Sequence, residues 1–290
     1  MMRRSLIFTS PDVESSYQRA YDEAMVQWPV PFESLFVPTS FGETHVVAAG
    51  EPSAPPLVLL HGKYASSTQW IANIAAFAER FRCYAVDSIS DIGKSIPTSI
   101  PRSRAAHARW LAEVLDALQV ERAQLVAISF GGFLALNFAL RYPGRVAALV
   151  CMSPGVAFAP FTARWVGASA AALLFPGERT IRALMERLSV RGYAQDDPLL
   201  RQRIIGITHA RPRWLPLPFI WANRLRGLEP PMMLLLGDRE IMYRPHAALR
   251  SARRRLPEAR VEIVRNCGHS MNRDQPEIIN RLTLDFLDGR

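Results

Sequence analysis

Cysteine is nearly missing from this 290-residue chain, which carries only Cys83, Cys151 and Cys267. A set so sparse and odd, two of it inside apolar strand-like runs, implies buried thiols and excludes a disulfide framework. Lysine is scarcer still. With Lys63 and Lys94 alone, the net +9 from 35 Lys+Arg against 26 Asp+Glu is an arginine excess spread along the chain. A nucleic-acid arm would concentrate its charge, and the one dense cluster, Arg253-Arg254-Arg255, sits where helical periodicity makes it a solvated helix face. No nucleic-acid partner is expected.

Long apolar runs are lacking too. An uncharged stretch of 18 residues, 146–163, contains Pro154, Gly155 and Pro160, which suits a strand followed by a loop and not a membrane span. After Met1-Met2-Arg3-Arg4 only Leu6-Ile7-Phe8 precede Thr9-Ser10-Pro11-Asp12, too short for a secretory apolar region. The expectation is a soluble cytoplasmic protein without stable membrane insertion. Histidines and cysteines do not fall at metal-ligand spacings, and no internal repeat or low-complexity tract is present. Asp91-Ile92-Gly93-Lys94-Ser95 invites a phosphate-loop reading, but Ser88 stands where that loop needs glycine and Ile96-Pro97 follows in place of a helix. Neither a metal nor a cofactor is expected.

What the chain does have is core material, 49% hydrophobic residues, enough for one large α/β domain and incompatible with disorder. Ser10-Pro11-Asp12 opens a helix carrying Tyr17, Tyr21, Ala24 and Trp28 on one face. Residues 34–37 and 44–48 read as a hairpin turning at Phe41-Gly42, at a sheet edge. Apolar runs then alternate with helical stretches: strands at 57–60, 83–86, 125–128 and 146–151, helices at 69–80, 103–118 and 130–141. Strands without polar alternation are buried on both faces, so the fold class is α/β, a mostly parallel central sheet with helices on both faces. The regularity returns only with strand 232–236, helix 245–256, strand 261–264 and helix 275–287, the last opened by an Asp274/Glu277 capping pair. Between lies a mainly helical insertion, residues 155–228, rich in aromatics (Phe158, Phe161, Trp165, Phe175, Tyr193, Trp214, Phe219, Trp221) and with a proline-rich piece at 212–218. An insertion this long reads as a lid or cap over a core domain of residues 1–154 and 229–290.

Leu125-Val126-Ala127-Ile128-Ser129-Phe130-Gly131-Gly132 runs a buried strand directly into a serine and a helix directly out of it. That is the context of a nucleophile elbow, in which the tight turn lifts the hydroxyl above the sheet and small flanking residues make room. Ala127 stands where the usual pattern has a glycine. A serine at its ordinary pKa needs a histidine base and an acid to orient it, in the chain order serine, acid, histidine. His269 follows the last strand, in a loop at the carboxyl edge of the sheet. Glu240 and Asp238 both leave the penultimate strand, and Glu240 has the longer reach toward His269, with Asp238 as the alternative. The loop after His61-Gly62 offers a backbone N–H, best from Lys63 beside Gly62, with a second from Phe130, to hold an oxyanion. His61 itself is expected to hold that loop by hydrogen bonds.

Taken together, Trp28-Pro29-Val30-Pro31-Phe32, His61-Gly62, Ala85-Val86-Asp87, Gly93-Lys94-Ser95, the serine turn, Gly237-Asp238-Arg239-Glu240, Gly268-His269 and Gln275-Pro276-Glu277 follow one order. In that order the chain resembles the α/β-hydrolase fold superfamily, in its bacterial carboxylesterase-like branch with a helical cap. The resemblance implies a serine hydrolase with Ser129 as nucleophile, His269 as base and Glu240 as acid, acting on an ester of a small, largely apolar substrate. Tyr64, Phe158, Phe161, Trp165 and Met242 would line its pocket, and a homodimer is compatible with it. Competing readings are another reaction on the same three residues, a ligand-binding protein that kept the fold, and an interfacial lipase, since residues 165–177 are uncharged and apolar.

Overall fold

The computed structural model describes residues 5–154, 157–175, 177–211 and 222–289. Trp214, Phe219, Trp221 and the proline-rich piece at 212–218 lie outside the described residues. Helix α1 (Pro11–Met25) starts as expected, with the Ser10 hydroxyl accepting from the Val13 N–H. The hairpin follows as β1 (Phe32–Thr39) and β2 (Gly42–Ala49), turning at residues 40–41, and the chain then alternates. In order come β3 (Pro56–Leu60), α2 (Ile74–Ala78), β4 (Arg82–Val86), the short β5 (Ile96–Pro97), α3 (Arg104–Ala117), β6 (Ala123–Ile128), α4 (Phe130–Ala139) and β7 (Val146–Met152). Three helices precede the next strand: α5 (Ala163–Leu174), α6 (Glu178–Leu188) and α7 (Pro198–His209). The chain then forms β8 (Met232–Gly237), α8 (Pro245–Arg255), β9 (Arg260–Val264), α9 (Met271–Asp274) and α10 (Pro276–Leu287).

The sheet runs β1-β2-β4-β3-β6-β7-β8-β9, with β5 on β2. β1, β2 and β4 pair antiparallel and the pairs from β4–β3 through to β8–β9 are parallel. The absence of polar alternation is explained by two cores, one on each face. Val58, Leu60, Leu125, Ala127, Leu149, Leu234 and Leu236 pack with α3, α4 and α8, while Leu57, Leu59, Val126, Val150, Met233 and Leu235 pack with α1 and α10. All three cysteines are buried, and burial pushes the Cys83 thiol up to about 12. Arg253 and Arg254 are exposed on α8 as a solvated face. Among the described residues no helix is long and apolar enough to cross a membrane.

Two local expectations are corrected. The helix expected at 69–80 is a single 3₁₀ turn, Ser67–Trp70, followed by the five-residue α2. Asn73 separates them because its side chain donates to the Asn272 carbonyl and to Asn280 Oδ1, at 3.3 and 2.8 Å, anchoring the chain to α9 and α10 instead of continuing a helix. The last helix begins at Pro276 with Gln275 before it and no side-chain cap, because Asp274 faces the other way. It accepts hydrogen bonds from the Ser189 hydroxyl, the Val190 and Arg191 N–H groups and the Gly268 N–H.

At the carboxyl end of β4, Asp87 is fully buried and takes four hydrogen bonds, from the Ser67 N–H and hydroxyl, the Lys94 N–H and His45 Nδ1. This, with Asp91 accepting from the Tyr64 and Ile92 N–H groups, is what the Asp91–Ser95 loop does. Burial alone would raise the Asp87 pKa, but the hydrogen bonds and the neighbouring imidazoles outweigh it and hold the carboxyl at about 2, below its ordinary 3.8. A depressed carboxyl contributes stability above the unfolded-state pKa and loses it as pH falls through the folded value. Asp87 therefore contributes about 2 kcal/mol at neutral pH that disappears between pH 4 and 2. Urea midpoints across that window should fall more steeply for the wild type than for Asp87→Asn, and equal slopes would contradict this.

Candidate active site

β6 delivers Ser129 at its carboxyl end, and α4 starts on the next residue. The serine sits at φ 54° and ψ −114°, in a region L-residues rarely adopt, with its N–H held by the Met152 carbonyl at 2.9 Å. Strand, turn and helix can meet this closely only if the residue two positions on lacks a side chain. A Cβ on Gly131 would stand 2.1 Å from the Leu60 carbonyl oxygen. Gly132 is less tight, its Cβ meeting Pro154 Cβ at 3.1 Å where α4 crosses the end of β7. Ala127, by contrast, lies within extended β6, paired with Cys151 and Leu60, and is not among the residues at positive φ. The turn has no need of glycine there. Ala127→Gly is expected to cost about 1 kcal/mol of stability without raising activity. Unfolding and turnover measurements on the variant check both halves.

His269 Nε2 lies 2.8 Å from Ser129 Oγ, and His269 Nδ1 lies 2.7 Å from Glu240 Oε2. Glu240 is 7% exposed, and its other oxygen accepts the Met242 N–H at 2.8 Å. A carboxylate only accepts, so the imidazole carries its proton on Nδ1 and turns the Nε2 lone pair to the serine hydroxyl. Burial pushes the Glu240 carboxyl up; attraction and hydrogen bonding from His269, with the Met242 N–H, outweigh it and leave the pKa below the ordinary range. Asp238 does not reach His269. Its Oδ1 accepts the Cys267 N–H at 3.0 Å, bracing the turn that leads to the histidine. Gly237 allows that turn to lie on the strand, since a Cβ there would meet the Cys267 carbonyl oxygen at 2.3 Å.

Opposite the serine, the His61 ring bonds the Gly62 carbonyl through Nδ1 and accepts the Ser88 N–H at Nε2, holding its loop. Gly62, expected beside the oxyanion donors, instead gives its N–H to Gln69 Oε1 at 2.9 Å. What Gly62 contributes is space, because a Cβ there would be 3.4 Å from Ser129 Cβ. The Lys63 and Phe130 N–H groups have no acceptor among the described residues. The Lys63 ammonium lies 3.2 Å from Asp91 Oδ2 and over the Tyr64 and Phe130 rings, at 4.9 and 5.5 Å.

The apolar residues expected around a substrate divide. Phe161 and Trp165 touch, with ring centroids 6.5 Å apart, and the Met242 carbonyl accepts the Thr162 N–H, so these three share one region between α5 and β8. Phe158 is buried in the core on the α3–α4 face. Tyr64 packs on the opposite face's core and borders a small pocket with Lys63, Asp91 and Arg211. Among the described residues no cluster of three His, Cys, Asp or Glu could hold a metal ion. Sequence reading did not find Gln69, Ser153, at φ 43° beside Glu240, or the bracing role of Asp274. Asp274 and Ser189 are 85 positions apart, and no spacing announces such a pair.

The arrangement resembles that of known proteins throughout its length. A sequence model of the alpha/beta hydrolase family matches residues 57–282. Carboxylesterase YbfK of Bacillus subtilis (strain 168) is 36% identical over 296 residues, spanning 100% of this chain and 99% of that protein. The crystal structure of naproxen esterase (carboxylesterase NP) from Bacillus subtilis superposes with a TM-score of 0.89 at 33% identity, covering 96% of this chain and 99% of that one. A 2-hydroxy-6-oxononadienedioate/2-hydroxy-6-oxononatrienedioate hydrolase of Burkholderia vietnamiensis is 29% identical over 253 residues, 80% of this chain and 86% of that protein.

Proposed function

The chain belongs to the alpha/beta hydrolase family, in its bacterial carboxylesterase-like branch, and is a hydrolase acting on esters; from this premise we propose that it cleaves a small, largely apolar carboxylic ester through an acyl-enzyme on Ser129. His269 Nε2 takes the hydroxyl proton as Ser129 Oγ attacks the carbonyl carbon, and the oxyanion rests on the Lys63 and Phe130 N–H groups. As the carbon–oxygen bond to the alcohol breaks, His269 returns the proton to the leaving oxygen. Water, deprotonated by the same nitrogen, then releases the acid and restores the serine. Glu240 holds the Nδ1–H tautomer and stabilises the imidazolium that forms in each step. The helical segment between β7 and β8, within residues 155–228, acts as a cap, and Phe161, Trp165, Met242 and Tyr64 bound the substrate.

The observation that carries this reading is the continuous hydrogen-bond chain of Ser129, His269 and Glu240, at 2.8 and 2.7 Å, on a strained turn at the carboxyl edge of the sheet. The test is hydrolysis of p-nitrophenyl esters of graded acyl length together with labelling by a fluorophosphonate. Turnover with a single adduct mapped to Ser129 is expected, and the chain length of fastest turnover measures the pocket. An adduct without turnover on any soluble ester would move the activity to another acyl bond, and activity appearing only on emulsions would favour an interfacial lipase.

A further inference from the structure

Toward the β1 edge of the sheet a second serine meets a second histidine, backed here by an aspartate. Ser34 Oγ, on β1, lies 2.8 Å from His45 Nε2, on β2, and His45 Nδ1 lies 2.9 Å from Asp87 Oδ2. The corresponding distances at Ser129 are 2.8 and 2.7 Å. Asp87 is ionised and only accepts, so His45 holds its proton on Nδ1 and offers the Nε2 lone pair to the Ser34 hydroxyl. The imidazole is fixed between the Tyr21 and Phe36 rings, at 5.9 and 5.0 Å between centroids. His45 is 1% exposed and Asp87 0%, while Ser34 is exposed.

The strand supplies further parts. β1 is the outermost strand of the sheet. Pro38 pairs with Glu43, and because proline has no N–H that pair is of the kind whose backbone groups point away from the partner strand. Kinds alternate along an antiparallel ladder, so Ser34, opposite Val47, is of the same kind and its N–H faces out of the sheet's free edge. Phe32 and Phe36, two residues to either side on the same face, are 43% and 45% exposed.

We propose that Ser34, His45 and Asp87 form a second nucleophilic site that accepts the acyl or phosphonyl group of small activated aryl esters and related phosphonylating agents. Ser34 Oγ attacks the carbonyl carbon, His45 Nε2 takes the hydroxyl proton, and the oxyanion faces the Ser34 N–H. The bond to the aryloxide then breaks, His45 returns the proton to it, and an O-acyl serine remains until water, deprotonated by the same nitrogen, releases the acid; with a fluorophosphonate the oxygen attacks phosphorus, the P–F bond breaks, fluoride leaves and an O-phosphonyl serine remains. Phe32 and Phe36 provide the surface against which the aryl group lies.

The experiment uses Ser129→Ala, so that the site does not depend on the role assigned to Ser129. The variant is treated with an aryl fluorophosphonate and, separately, p-nitrophenyl acetate, and adducts are followed by peptide mass spectrometry. Ser34 should be modified about 100-fold or more faster than exposed Ser53 in the same sample, the contribution of a positioned general base. Adding Ser34→Ala should remove that adduct. Modification of Ser34 at the rate of Ser53, or none under conditions that label Ser129 of the wild type completely, would overturn the proposal. The comparison is internal to one sample and does not depend on a variant at buried His45. Where His45→Gln folds, it should lower the Ser34 rate to that of Ser53, and an unchanged rate would equally overturn it.

Discussion

Ser129→Ala is expected to lower kcat for ester hydrolysis by about 10⁴- to 10⁶-fold while leaving the protein folded. Each factor of ten corresponds to about 1.4 kcal/mol, so the loss of one hydroxyl would raise the barrier by roughly 5 to 8 kcal/mol. The size follows from the geometry. The oxygen stands 2.8 Å from a histidine already oriented by a buried carboxylate, and without it neither base nor acid has a covalent step to serve. Alanine keeps the Cβ that the φ of 54° already accommodates, and the N–H bond to the Met152 carbonyl is unaffected. Thermal unfolding within a few degrees of wild type should therefore accompany the loss of turnover. Activity within about tenfold of wild type would show that another group carries the reaction.

Asp274→Ala is expected to have the largest effect on stability. The carboxylate is 1% exposed and ties two distant places together: the end of α6 through Ser189, Val190 and Arg191, and the loop before His269 through the Gly268 N–H at 2.7 Å. Removing it leaves the buried Ser189 hydroxyl and Gly268 N–H without their acceptor, at about 3 kcal/mol or more, which for a chain of this size lowers Tm by roughly 6 to 12 °C. Because Gly268 precedes His269, turnover should fall as well, with kcat affected more than KM. Asp274→Asn, which keeps acceptor capacity, should lie between alanine and wild type. Calorimetry and steady-state kinetics on both variants decide it, and an unfolding temperature within about 2 °C of wild type for alanine would contradict the account.

Asp274 also marks the boundary of what sequence alone could convey. Runs such as Leu57-Val58-Leu59-Leu60 announce a strand buried on both faces because burial removes polar residues from every position, and they lie in the middle of the sheet. Ser129 and His269 were legible for a similar reason, since each stands where a strand ends. Reach toward His269 was the ground for preferring Glu240 to Asp238, and their hydrogen bonds run one to the imidazole and one from the Cys267 N–H. Read locally, Asp274 and Glu277 are an ordinary helix start; the competing use of Asp274 comes from a segment 85 positions earlier. Gln69 is alike, taking the Gly62 N–H that the loop would otherwise offer. The break at Asn73 comes from side-chain partners on α9 and α10, which the intrinsic preference of residues 69–80 does not contain.

Ser129 and His269 are separated by 140 positions along the chain. A ribosome adding about 5 to 20 residues per second needs roughly 7 to 28 s to travel from one to the other. Throughout that interval the nascent polypeptide holds its serine without the imidazole that takes its proton in the proposed mechanism. In the proposed mechanism Ser129 is thus unreactive toward esters while the chain is being made, and it gains its base only once β8 and β9 have joined the sheet. Any slowing of translation between those two codons lengthens the silent period without altering the finished enzyme.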